Sequence, residues 1–143
     1  PQMIEIEITE SIGGLEKKLI TRLMDDFHAA GFSIALDDFG SGFSNIAALA
    51  ENDFDVVKFD KSLIDTIFEN DKSRTVIQQA INLCNAVNKN IETVGEGVET
   101  EQQLQIIKEY GCDIGQGYLF SRPIPEEKFL KYFLTGENGE KCD

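Results

Sequence analysis

The chain has 143 residues, one domain's worth of polypeptide, and carries a formal net charge of −13. Hydrophobic residues make up 41% and charged residues 27%, an ordinary soluble balance, and no run is long enough to span a membrane. Such acidity excludes a groove that tracks a long nucleic-acid backbone, yet it leaves room for a small phosphate ligand, because bound cations can invert a local field. The three cysteines, Cys84, Cys112 and Cys142, form neither a disulfide framework nor zinc-ligand spacing, which points to a reducing, cytoplasmic setting.

Residues 3–9 alternate Ile4, Ile6 and Ile8 with Glu5, Glu7 and Thr9, the period of a half-buried strand. Glu5 and Glu7 therefore share a face, and Glu10 follows the strand end. Leu15, Leu19, Leu23 and Phe27 then recur at helical spacing, widened by Ile20 and Met24, and Gly31 stops that helix. The stripe is expected to be core. His28, the only histidine, has no Cys, His or triad pattern near it and reads as a surface or half-buried helix residue.

The second strand, residues 32–38, is apolar until it ends in Asp37 and Asp38, and Gly40-Ser41-Gly42 follows at once. Adjacent carboxylates beside a flexible loop can hold a hard divalent cation; they also do ordinary turn work. A helix is expected over residues 43–50. Residues 54–60, FDVVKFD, read as a third strand with Lys58 in its middle, on the same face as Val56. A lysine there is costly unless paired. It either blunts an edge strand or aims a charge into a site.

A short helical piece over 63–68 precedes a longer helix over 73–87, striped by Val76, Ile77, Ala80, Ile81, Cys84 and Val87. The fourth strand, 91–94, runs into Gly95-Glu96-Gly97-Val98-Glu99. Thr100 and Gln103 fit a capping box for a helix that buries Leu104 and Ile107 and stops at Gly111. A fifth strand over 112–114 leads to Gln116. Arg122 to Pro125 should be an extended turn, and Phe129, Leu130, Phe133 and Leu134 mark a last amphipathic helix. The polar tail from Thr135 is expected to be disordered.

The pattern is β-α repeated five times with short connections, which implies a parallel sheet with helices outside it. Glu7, Asp37, Lys58, Glu96 and Gln116 gather near the C-terminal ends of successive strands, the rim where α/β barrels place their chemistry.

The strings EITES (7–11), DDFGSGFS (37–44), VKFDKSLI (57–64), EGVET (96–100) and GQGYLFSRP (115–123) resemble the EAL domain of bacterial cyclic di-GMP phosphodiesterases. The resemblance runs from Ile4 to about Leu134, and it implies a partial (β/α)8-type barrel of about five β/α units. By resemblance, Glu7, Asp37, Asp38 and Glu99 serve two Mg²⁺ or Mn²⁺ ions. Of the catalytic residues it implies, Lys58 and Glu96 would position or activate the attacking water and Gln116, with Glu99, would support the second metal and its water, while Glu10 would steady the loop over residues 39–44. No substrate-binding residue is assigned. Cyclic di-GMP would be hydrolysed to pGpG, and a GGDEF or sensor domain would accompany the domain in a parent protein that other segments could attach to a membrane.

Phe43 stands where the family commonly has Tyr, and Gly95, where it has Ala, is expected to loosen the strand before Glu96. The Glu-Ala-Leu motif that names the family, and the metal-binding Asn of the next motif, are both missing. Residues 1–134 therefore read as the C-terminal portion of an EAL domain, inactive alone and prone to self-association through exposed sheet edges. The rival expectation is a degenerate module that binds cyclic di-GMP or a partner protein without catalysis; an intact upstream motif would separate the two.

Overall fold

The computed structural model describes residues 1, 3–9, 17–41 and 45–135. Five parallel strands, β1 (Glu5–Ile8), β2 (Ser33–Phe39), β3 (Val56–Phe59), β4 (Glu92–Gly95) and β5 (Ile114–Gly115), lie side by side in sequence order. Between them run α1 (Lys17–Ala29), α2 (Asn45–Glu51), α3 (Lys61–Asp65) with a 3-10 turn at Thr66–Phe68, α4 (Asp71–Val87) and α5 (Glu101–Glu109); α6 (Glu126–Thr135) follows β5. The expected tail after Thr135 lies outside the described residues. Among the described residues no helix is long and apolar enough to cross a membrane.

Alternation along each strand divides the sheet into two unlike faces. Ile34, Leu36, Val57 and Phe59 point toward the helices and join Met24, Leu49, Ile64, Ile77, Ile81 and Ile107 in one buried cluster. The opposite face carries a small second cluster, Ala35, Val56 and Val94. Burying the apolar side chains of the first cluster supplies the main favourable term for folding, at about 25 cal/mol per Å². The Phe39 and Phe59 rings meet edge to face at 5.6 Å within it.

Two aspartates bind the strand starts together. Asp55, just before β3, reaches back so that its Oδ2 accepts from Ile34 N at 2.8 Å, and His28 Nε2 lies 2.9 Å from the same oxygen. Asp113, just before β5, accepts from Thr93 N at 2.8 Å and from Thr93 Oγ1 at 2.7 Å. His28 thus has a partner that its local sequence does not announce.

The helix stripes need correction in detail. In α1, Met24 is buried and Ile20 and Phe27 pack on the core, but Leu19 and Leu23 are exposed. The face in contact is rotated toward the 20/24/27 ridge. In α4, Ile77, Ile81 and Cys84 are buried while Val76 and Val87 are exposed. Phe129 and Leu130 of α6 are also exposed. In α5 the capping box forms as expected, with Thr100 Oγ1 accepting from Gln103 N at 3.1 Å and Gln103 Oε1 from Thr100 N at 3.0 Å. Lys58 lies on the central strand of the sheet, which removes the edge-strand reading. Gly95 pairs with Phe59 on one side and Gly115 on the other.

Candidate active site

The strands deliver their polar groups to one end of the sheet, and the backbone pins them there. The residues just past β3, β4 and β5 each donate their N–H to the carbonyl of the last residue of the preceding strand. The distances are 3.1 Å for Asp60 to Phe39, 3.1 Å for Glu96 to Phe59 and 2.9 Å for Gln116 to Gly95. The rim is therefore an extension of the ladder rather than free loop.

At its centre lies the Lys58 ammonium. Its Nζ is 2.6 Å from Glu7 Oε1, 2.9 Å from Glu96 Oε1 and 3.1 Å from Asp37 Oδ1. The carboxylates come from β1, from β2 and from the end of β4, and the lysine side chain is only 9% exposed. Burial alone would lower the Lys58 pKa, but hydrogen bonds to Glu7, Glu96 and Asp37 prevail and hold it above the usual lysine value. The ammonium is thus fixed in its charged form, with acids on three sides.

A break in the register brings the second aspartate to the site. Leu36 pairs with Val57 and Phe39 with Phe59, so β2 spends one more residue than β3 over the same distance. This is a β-bulge at Asp37 and Asp38. Asp38 takes φ +56°, the left-handed region that Asp tolerates better than most residues. The extra residue restores the phase, so that Phe39 returns to the helix side and is buried, while both acids stay at the rim. Gly40 follows at φ +97°, and a Cβ there would come within 2.1 Å of Leu63 Cδ1. Only glycine lets the chain turn so close to α3.

Carboxylate oxygens of Asp37, Asp38 and Glu96 lie within 4.8 Å of one another. The Asp38 pKa is raised by partial desolvation and then by the charges of Asp37 and Asp60. Asp37 Oδ1 is buried and makes no hydrogen bond among the described residues beyond its ion pair with Lys58. A buried carboxylate oxygen short of donors, inside a group of hard oxygen ligands, fits a divalent cation.

The other expected residues are placed differently. Glu99 bonds Lys61 Nζ at 2.9 Å, beside the 2.8 Å bond from Lys61 to Asp65, and lies outside the three-acid group. Gln116 is exposed, and its described bonds are backbone ones. Glu10, and Gly42 to Ser44 of the loop it was expected to steady, lie outside the described residues. Glu5 is pushed up by desolvation, an effect that Lys58 partly opposes. Asp60 escaped the reading of the sequence. It caps α3, accepting from Ser62 N at 2.9 Å, and its charge acts on Asp38. Its position two residues after Lys58, the period of one strand face, was the available signal.

The family model for the EAL domain matches residues 1–123. The cyclic di-GMP phosphodiesterase RocR of Pseudomonas aeruginosa is 36% identical over 138 residues, which cover 92% of this chain and 33% of that protein. The crystal structure of the EAL domain of Mycobacterium smegmatis DcpA matches with a TM-score of 0.86 at 29% identity, over 94% of this chain and 60% of that one. Klebsiella pneumoniae BlrP1, solved as a manganese and cyclic di-GMP complex, matches with a TM-score of 0.77 at 29% identity, over 86% of this chain and 31% of that one. The chain spans between 16% and 33% of the length of the curated relatives it matches. Its five β/α units correspond to part of the (β/α)8-type barrel of these folds. By motif, sheet order and rim chemistry alike, the chain belongs to the EAL domain family.

Proposed function

We propose that these residues form the C-terminal part of a phosphodiesterase domain that hydrolyses cyclic di-GMP to linear pGpG with two Mg²⁺ or Mn²⁺ ions. The single observation that carries this reading is the Lys58 ammonium held between 2.6 and 3.1 Å from three carboxylates, beside the acidic group of Asp37, Asp38 and Glu96. Its support from relatives is the activity in RocR's name and the manganese and cyclic di-GMP complex of BlrP1.

Asp37 and Asp38 would be ligands, with Glu7 beside them and Glu99 recruited from its pairing with Lys61. When bound, the ions lower the pKa of water to near neutrality and neutralise charge on the phosphodiester. Lys58 Nζ orients the water oxygen toward phosphorus. Glu96 Oε1 holds and then accepts its proton. The oxygen–phosphorus bond forms as the bond from phosphorus to the ribose 3′ oxygen breaks, and that oxygen leaves as a hydroxyl after protonation. Gln116 would support the second ion and its water, and Glu10, which lies outside the described residues, would by resemblance steady the loop over residues 39–44.

The chain corresponds to 60% of the DcpA EAL domain, so turnover is proposed for a domain in which the preceding strands complete the site. Little turnover is expected from the 143 residues alone. Within the described sheet β1 and β5 each have one unpaired side, and these edges are proposed to make the chain self-associate; a monomeric mass at micromolar concentration would contradict that. A cytoplasmic location suits the two free, buried thiols, Cys84 and Cys112. A GGDEF or sensor domain is the proposed companion in the longer protein.

The test is chromatographic detection of pGpG from cyclic di-GMP by a complete EAL domain carrying these residues, beside its Glu7→Ala variant. Metal-dependent turnover that falls at least about a hundredfold in the variant is expected. No turnover by the complete domain, or an unaffected variant, would contradict the reading.

A further inference from the structure

We infer that Lys61 is a positioning residue for the second metal ion: its ammonium holds the Glu99 carboxylate in reserve, and the ion must take Glu99 from it. This rests on the reading of Glu99 as a ligand of that ion. Lys61 Nζ lies 2.9 Å from Glu99 Oε1 and 2.8 Å from Asp65 Oδ1. One ammonium is thus shared between two elements, α3, which it opens, and the segment that leads from β4 to α5.

Two features of the fold set this pair apart from an ordinary surface contact. The first is the seat of the lysine stem. Gly97 takes φ +69°, and a Cβ there would come to 2.7 Å from Lys61 Cβ and 2.8 Å from its Cδ. Only glycine admits both that backbone angle and that approach. The stem is therefore laid along the strand-end segment, two residues before Glu99, instead of ranging through solvent. The second feature is the backbone around Glu99. Val98 N donates to Gln116 O at 3.0 Å, and Glu99 N and Thr100 N donate to Gln103 Oε1 at 2.9 and 3.0 Å. The main chain is tied on both sides of Glu99, so the carboxylate changes partner by turning its side chain alone.

Magnitudes decide what such a pair can do. The Lys61 side chain is 47% exposed, and those of Asp65 and Glu99 are each 49% exposed. An ion pair this open to water shifts an equilibrium only about two- to fivefold. It places the carboxylate without trapping it. When Glu99 turns away, Asp65, four residues along α3, keeps the ammonium paired, so the exchange strands no charge. The lysine and the ion exclude each other at Glu99, and each weakens the other's hold by the same factor.

The test is Mn²⁺ titration of a complete EAL domain carrying these residues, with the free-ion electron paramagnetic resonance signal giving the number and affinity of bound ions. Lys61→Gln is expected to strengthen the weaker of two ion sites about threefold. Lys61→Arg, which keeps the charge and the reach, should leave it unchanged. Lys89→Gln removes the same charge from an exposed position just before β4, at the opposite end of the sheet, and should have no effect. Glu99→Gln should weaken the same site at least about tenfold, and Lys61→Gln added to it should bring no further change, because nothing is left to release. Circular dichroism and thermal melts of the variants separate a binding change from a folding one. If Lys61→Gln does no more than Lys89→Gln, or acts equally with and without Glu99, the role of Lys61 is refuted while Glu99 stands as a ligand. If Glu99→Gln leaves both sites intact, or the domain binds fewer than two ions, the reading of Glu99 falls and the role of Lys61 falls with it.

Discussion

The two faces of one sheet obey opposite rules. On the helix side, Ile34, Leu36, Val57 and Phe59 are at most 1% exposed and meet only apolar neighbours and ring edges. On the other face, one residue away along the same strands, stand Ala35, Val56 and Val94, then Asp37, Lys58 and Glu96. The first face gains its energy by removing apolar area from water. The second holds charges that repel one another unless a cation lies among them. The period of two in a strand lets four residues of β3, Val56 to Phe59, serve both purposes without compromise.

Breaking the apolar face should cost the most. Phe59→Ala removes a side chain that is 1% exposed and stacked edge to face on Phe39. A loss of about 3–5 kcal/mol is expected in urea unfolding, and a loss under about 1 kcal/mol would mean that the helix side is not the main source of stability.

Lys58→Met should cost less, about 2–3 kcal/mol, because Glu7 is half exposed and water can screen part of the repulsion left behind. The loss should shrink when Mn²⁺ is added, since a divalent ion can replace the missing positive charge. In the unsubstituted chain the raised pKa makes the lysine's contribution fully present below its ordinary value near 10.5, to be lost only as pH rises beyond that. A melting series from pH 6 to 9 should therefore reveal no loss from this group.

The bulge marks where a sequence stops being readable. The acids, the glycines after them and the strand that carries them are all visible as local pattern. That Asp37 and Asp38 stay together at the rim while Phe39 turns back is not, because strict alternation would place Asp38 and Phe39 on the wrong sides. The phase is set by the pairing of Leu36 with Val57 and Phe39 with Phe59, contacts about twenty residues apart. The reach of Asp55 to Ile34 and of Asp113 to Thr93 is hidden for the same reason. Leu19 and Leu23 have the spacing of core residues, yet which ridge of α1 meets the sheet is decided by packing, not by period. Conversely, the capping box of α5 was legible because all its atoms lie within four residues.

Smaller tests sharpen the contrast. Thr100→Ala removes the cap of the helix that follows Glu96 and Glu99 and should cost about 1 kcal/mol in thermal unfolding. An unchanged melting temperature would mean that the box forms without stabilising the rim. Cys84, sealed in the apolar core, has its thiol pushed up to about 12 by burial. Its contribution to stability is fully present below pH 9 and is lost as pH rises toward 12. At pH 8 iodoacetamide should label it slowly in the folded chain and rapidly in urea; equal rates would place it outside the core.

The central claim is that Asp37 and Asp38 hold a cation at a shared end of the sheet, with Glu96 within 4.8 Å of them to receive the proton of the water. Titration of the chain with Mn²⁺, followed by loss of the free-ion electron paramagnetic resonance signal, tests it most directly. Asp37→Asn should weaken the tightest binding at least about tenfold, whereas Asp71→Asn, an exposed acid at the start of α4, should leave it unchanged. Equal weakening by both substitutions, or by neither, would mean that the ion responds only to the general acidity of the chain.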